Sequence, residues 1–213
     1  MRLKNILFDL DGTLLDSQGD IRDCFRQAFA RVLGGDGVEI DRDLIGLPVD
    51  EIVRSVRPGL SPEQTARVTS EFRTLYDHHA YPKTRVFPPV PKLFELLKAE
   101  KRSVFLVTNK PRQATLALIK QFGLDFFQDV ACPEMPPAPR PSKGKMIADL
   151  IAKWHLKKEE TMMVGDTPSD VAAAHENGIA AAIVRSGYGD PEQLKASAPE
   201  HVLDTLGRLA DIL

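Results

Sequence analysis

Asp9 and Asp11 stand one residue apart in "ILFDLDGTLLDS", where an apolar run from Ile6 ends and Gly12 and Thr13 follow. A second acidic pair, Asp166 and Asp170, closes the stretch "VGDTPSD". Between them lie "VTNKP", with Thr108, Asn109 and Lys110, and "SKGKMI", with Ser142 and Lys143. Carboxylates brought together repel one another unless a cation joins them. Hard oxygen ligands with room for water and a phosphate suit Mg²⁺. The chemistry that fits such a set is phosphoryl transfer. On this reading Asp9 attacks phosphorus and forms an aspartyl-phosphate. Asp11 protonates the leaving oxygen, then takes a proton from the water that hydrolyses the intermediate. Thr108 and the backbone N–H groups near Gly12 and Asn109 hydrogen-bond the phosphoryl oxygens, and Lys143 adds positive charge. Asp166 binds the metal, as does Asp170, directly or through water. Lys110 either reaches this site or is a solvated lysine at a helix start.

Each piece is weak by itself. "DxDGT" also reads as a turn, and "GDTPSD" as a loop with Ser169 or Asp170 capping a helix. A lone Lys143 reads as a solvated helix-start residue. The weight lies in their joint occurrence, each behind an apolar run and in a consistent order. His78 and His79 are neighbours that point apart on a helix and make a poor metal pair, so both read as solvated helix residues.

The elements that must position these groups follow an alternating pattern. Buried strands are expected at Lys4–Phe8, Ser103–Val107, Val130–Cys132, Thr161–Val164, Ala180–Val184 and His201–Leu203. Helices are expected at Val90–Lys101, Pro111–Phe122, Lys143–Trp154, Ser169–Asn177, Pro191–Ala196 and Thr205–Leu213. Strand followed by helix, repeated, predicts an α/β fold: an open, Rossmann-like parallel sheet with helices on both faces. In such sheets ligands gather at the carboxyl ends of the strands, which is where the candidate residues fall. Residues 16–83 break the rhythm, with no strand and a helical spacing over Ile21–Leu33. Ser61, Pro62 and Gln64 open a further helix with a capping-box pattern, expected to run to Tyr81. The expected division is an α/β core of 1–15 and 84–213 with a helical insert of 16–83. The proline-rich "CPEMPPAPRPSKG" predicts an extended loop.

The motifs "FDLDGTLLDS", "VTNKP", "SKGKMI" and "VGDTPSD" resemble, in order, the four motifs of the haloacid dehalogenase-like hydrolases, and most closely the phosphoglycolate phosphatase-like members. The resemblance spans nearly the whole chain. It implies that Asp9 is nucleophile and metal ligand, and that Asp11 is the general acid/base with its backbone carbonyl on the metal. Thr108 and Lys143 match the phosphate-binding pair, Asp166 the metal ligand and Asp170 its support. Residues 16–83 fall where this family inserts an α-helical cap. The third motif departs from the common Lys-Pro form. Lys143 is preferred over Lys145 and Arg140, because it starts the helix after Ser142 and its distance to Asp166 fits a variant form. The acid at Asp11, absent from the dehalogenases, argues for phosphate chemistry over carbon–halogen cleavage.

The expected activity is a magnesium-dependent phosphatase acting on a small phosphorylated metabolite. A sugar phosphomutase of the same superfamily is the alternative, with nucleotidase, pyrophosphatase and a non-catalytic binding role behind it. The 213 residues carry a formal net charge of -2, so no basic surface points to nucleic acid or an anionic membrane. No run approaches the ~20 apolar residues of a membrane helix, and the N-terminal stretch does not read as a signal peptide. Cys24 and Cys132 lie far apart without metal-ligand spacing, which suits buried thiols in a reducing cytosol.

Overall fold

A computed structural model describes residues 3–134 and 140–213; the expectation for the proline-rich loop falls partly on 135–139, outside the described residues. The chain divides into two compact units, residues 1–16 with 86–213, and residues 17–85.

The first unit is an α/β core. Its strands are β1 (Asn5–Phe8), β2 (Leu15–Asp16), β3 (Arg85–Val86, at the boundary), β4 (Ser103–Val107), β5 (Asp129–Ala131), β6 (Thr161–Gly165), β7 (Ala180–Val184) and β8 (His201–Leu203). Six of them form one sheet in the order β5-β4-β1-β6-β7-β8, with every neighbouring pair parallel. Parallel strands covered on both faces read as continuous apolar runs, and all four residues of β1 are buried. Successive side chains of a strand point to opposite faces. Leu7 joins Phe105, Val107 and Met163 in one cluster with Met146, Ile147 and Leu150, from the helix Lys143–Trp154. Phe8 turns the other way, its ring 5.2 Å from that of Phe94, on the helix Val90–Ala99. Truncating such a buried side chain to Ala costs about 2–5 kcal/mol. At the C-terminal end the expected α-helix over Thr205–Leu213 is a 3₁₀ helix over Leu206–Asp211; the segment is short, and Gly207 weakens an α-helical turn.

The second unit is helical: α1 (Gln18–Leu33), α2 (Val49–Val56) and α3 (Pro62–Asp77). The short α2 has no counterpart in the sequence expectation. α1 and α3 pack through Phe25 and Phe72, stacked at 4.0 Å. At Ser61 the capping box forms in full, with Oγ accepting from Gln64 N–H at 3.1 Å and Gln64 Oε1 accepting from Ser61 N–H at 2.9 Å. α3 stops at Asp77, short of the expected Tyr81. Pro82 follows Tyr81 and disfavours α-helical backbone there; Tyr81 adopts φ 51° instead.

The chain that leaves α3 turns back to a fully buried carboxylate on α1, Asp20. Asp20 Oδ2 accepts from the Thr84 hydroxyl at 2.6 Å and from Thr84 N–H at 2.7 Å. Lys83 N–H lies 3.2 Å from both carboxylate oxygens, and His79 Nε2 lies 2.9 Å from Oδ1. His79 is therefore a half-buried partner of Asp20, not the solvated helix residue expected. Burial opposes the charged form of Asp20, but the bonds from Thr84, His79 and Lys83 outweigh it and hold the carboxyl below its ordinary value.

Candidate active site

β1 occupies the middle of the sheet, with β4 on one side and β6 on the other. The chain continues to opposite sides from here, so a crevice opens at the carboxyl ends of these three strands. Asp9 follows β1 directly, and its N–H donates to Val164 C=O at 2.9 Å, extending the ladder with β6 by one residue. Thr108 is held in the same way on the other side, its N–H donating to Ala131 C=O at 3.0 Å. These backbone bonds, not loop chance, set the positions of the first two candidate residues.

Lys143 reaches this crevice from the first residue of the helix Lys143–Trp154. Ser142 caps that helix, its Oγ accepting from Lys145 N–H at 3.1 Å, and this fixes the direction in which Lys143 leaves the first turn. The ammonium donates to Asp9 Oδ1 at 2.9 Å and to Asp170 Oδ1 at 2.6 Å. Lys145 instead pairs with Asp149 on the surface, its side chain 61% exposed, and Arg140 is exposed. Of the three basic residues in competition, Lys143 is the buried one, bonded to Asp9 and Asp170.

Asp166 and Asp170 come from the end of β6 and the first turn of the helix Pro168–Glu176, preceded by its N-cap Thr167. Asp170 Oδ2 accepts from Thr167 N–H at 3.0 Å, the Thr167 hydroxyl at 2.7 Å and Asp166 N–H at 3.2 Å. That leaves Oδ1 facing Lys143. Asp166 is fully buried; Oδ1 accepts from the Thr13 hydroxyl at 2.8 Å and Oδ2 from Tyr188 N–H at 2.7 Å. A side chain on Gly12 would overlap the Asp166 carboxylate, and φ there is +83°. Glycine is thus required twice over, for conformation and for space.

Asp9, Asp166 and Asp170 each offer an oxygen within 4.8 Å of the others, all three buried. Burial, partly offset by Lys143, pushes the Asp9 carboxyl up to about 7, with Asp170 and Asp11 adding to the rise. Burial and the charges of Asp9 and Asp170 push Asp166 well above the usual carboxylate range. Burial works against the Lys143 ammonium, but Asp170 and Asp9 reverse it and hold the group above the ordinary lysine value. One lysine against three buried carboxylates leaves the cluster short of positive charge. A small divalent cation with oxygen preference fits that deficit, and it would bring the raised carboxyls back to the ionised form.

Asp11 stands apart from this cluster. Its carboxylate meets Lys110, with Nζ 3.0 Å from Oδ2 and the two side chains 8% and 10% exposed. Lys110 therefore belongs to the site rather than to a solvated helix start. Thr108 is buried, its Oγ accepting from Lys110 N–H at 3.2 Å. Asn109, between them, is half-buried at the end of β4. Thr13 and the Gly187–Tyr188 turn were not anticipated. The turn follows β7, so reading what trails every strand end would have reached it.

A family model described as haloacid dehalogenase-like hydrolase matches residues 6–184. The chain is 32% identical over 221 residues to a phosphoglycolate phosphatase of Vibrio vulnificus, covering 99% of this chain and 96% of that protein. It is 29% identical over 216 residues to a 5'-nucleotidase of Pseudomonas aeruginosa, covering 100% and 96%. Among solved structures, a haloacid dehalogenase-like family hydrolase of Streptococcus pneumoniae superposes with a TM-score of 0.86 at 25% identity, covering 99% of each chain. The chain belongs to the haloacid dehalogenase-like hydrolase family. Within it, this is a phosphatase, similar over nearly its whole length to the Vibrio vulnificus phosphoglycolate phosphatase.

Proposed function

We propose that the protein is a magnesium-dependent phosphatase that hydrolyses a small-metabolite phosphomonoester through an aspartyl-phosphate on Asp9. The observation that carries this reading is the buried cluster of Asp9, Asp166 and Asp170 with the Lys143 ammonium bonded to Asp9 and Asp170. A carboxylate nucleophile needs an approach shielded from the negative phosphate, and this arrangement supplies it. Mg²⁺ would be held by Asp9 and Asp166, with the Asp11 carbonyl and Asp170 in support, and would supply charge neutralisation at the phosphate.

The protein's own groups then divide the work. Asp9 attacks phosphorus as the ester P–O bond breaks. The departing oxygen keeps the bonding electron pair and takes a proton from the Asp11 carboxyl. In the second half, water attacks the phosphorus of the intermediate and gives a proton to Asp11, while the bond from phosphorus to the Asp9 oxygen breaks and Asp9 departs with the electron pair as a carboxylate. The Thr108 hydroxyl, the backbone N–H groups near Gly12 and Asn109, and Lys143 hold the phosphoryl oxygens. Residues 17–85 act as the family's helical cap and set substrate choice. The substrate is a small phosphorylated metabolite in the cytoplasm. No helix among the described residues is long and apolar enough to cross a membrane.

A panel of phosphorylated metabolites tests the reading. It should include 2-phosphoglycolate and nucleoside monophosphates, given the two kinds of relative above, together with sugar phosphates. Scoring both released phosphate and isomerised product separates hydrolysis from phosphate transfer back to a sugar. Release of phosphate in the presence of Mg²⁺ is expected; isomerised product without phosphate release would favour the mutase.

A further inference from the structure

We infer that Lys110 is a positioning residue for Asp11, holding its carboxyl group in line with the leaving oxygen; this rests on the reading of Asp11 as proton donor. The two acids of the first motif are divided between two lysines. Lys143 serves Asp9 and Asp170, while Lys110 meets Asp11 at 3.0 Å. The lysine main chain is itself fixed on both sides. Its N–H donates to the Thr108 hydroxyl at 3.2 Å, and its C=O accepts from the Thr115 hydroxyl at 3.0 Å. Thr115 is fully buried, so the last of these anchors lies in the body of the core.

Ordering a flexible lysine and burying its charge is costly. A buried ion pair returns little net stability against an apolar pair of equal volume, so stability alone is a poor reason for this one. The proton transfer supplies a better reason. As the ester bond breaks, the leaving oxygen takes the electron pair and the Asp11 proton, and Asp11 is left as a carboxylate. The Lys110 ammonium then faces the new negative charge at ion-pair distance. In the second half-reaction it keeps the same carboxylate in place to receive the proton of water. Thr108 couples the two tasks, because the turn that presents its hydroxyl also aims Lys110.

Lys110→Met keeps the length and the apolar stem of the side chain and removes the charge. The test compares kcat/KM for an alkyl ester with kcat/KM for 4-nitrophenyl phosphate, whose leaving group departs without a proton. The alkyl ester is 2-phosphoglycolate or whichever alkyl phosphate the panel identifies. General acid catalysis is worth about 10²–10⁴-fold, so the alkyl ester should lose about a hundredfold or more. The aryl ester should lose less than about tenfold, and Lys110→Arg should recover part of the alkyl loss. An equal loss on both substrates, or none on either, overturns the inference. Asp11→Asn in the same assay keeps the two readings apart. If it lacks the alkyl-selective loss, the role of Asp11 fails. If it shows that loss and Lys110→Met does not, only the role of Lys110 fails. Should Lys110→Met not fold, the alkyl-to-aryl ratio of the neutral Lys110→Gln against the parent protein decides, and an unchanged ratio overturns the inference.

Discussion

Lys143 Nζ lies 2.6 Å from Asp170 Oδ1 and 2.9 Å from Asp9 Oδ1, so one buried ammonium bridges the end of β1 and the first turn of the helix that follows β6. Removing it leaves two buried carboxylates without their partner, whereas Lys145 only loses a surface pair with Asp149. Lys143→Ala should therefore reduce turnover of an aryl phosphate by about a hundredfold or more, and Lys145→Ala by less than about twofold. Steady-state kinetics on the two variants checks this, and the reverse order would identify Lys145 as the phosphate-binding lysine.

Asp9→Asn keeps the shape of the side chain and removes the proposed nucleophile. Turnover should fall by roughly three orders of magnitude or more, with the circular dichroism spectrum unchanged. Because burial pushes Asp9 up, the neutral amide should leave thermal stability equal or slightly higher. A variant that turns over at a near-normal rate would exclude Asp9 as nucleophile.

Metal removal is the third test. Exhaustive chelation should abolish phosphate release, and Mg²⁺ should restore it. Asp166→Asn should raise the Mg²⁺ concentration needed for half-maximal activity by tenfold or more. Activity that survives complete chelation would rule out the metal-assisted route.

Gly12→Ala probes the packing around the Asp166 carboxylate. A side chain there meets Asp166 and the Tyr188 ring, on a backbone with φ +83°. The backbone conformation alone costs about 1–2 kcal/mol, and displacement of Asp166 should remove activity as well. Denaturant unfolding and Mg²⁺ titration of the same variant separate the two effects.

The Asp20 clasp should make stability depend on pH in one direction. Its folded-state carboxyl sits below the ordinary value, so the contribution is present above the unfolded-state value of about 4 and is lost as pH falls through the folded-state value. Asp20→Ala should destabilise by about 1.5–3 kcal/mol at pH 7, through its lost charge-assisted hydrogen bonds. The gap in melting temperature between parent and variant should then shrink in acid below about pH 4. A gap that stays constant down to pH 3 would show that the clasp is not the source.

What could be read from the sequence is what repeats or sits beside a repeating element. Asp9, Thr108 and Asp166 were legible because each follows an apolar strand, and the sheet carries such positions to one edge. Lys143 was legible because Ser142 marks a helix start. Lys110 could not be settled from sequence, since its direction comes from a turn pinned by Thr115. The Asp20–Thr84 clasp joins residues 64 apart with no periodic signal, and the halt of α3 at Asp77 serves it. α2 escaped notice because eight residues give little more than two turns of pattern.

The bond from Thr13 to Asp166 spans 153 residues of chain, and that from Tyr188 N–H spans 22 more in the other direction. During synthesis the first aspartates emerge long before their counterparts. A nascent chain that ends ahead of β6 holds Asp9 with neither Asp166 nor the Tyr188 amide to complete its surroundings. On the proposed mechanism, hydrolytic capacity would therefore arrive only after β6 and the turn that follows β7 have been made.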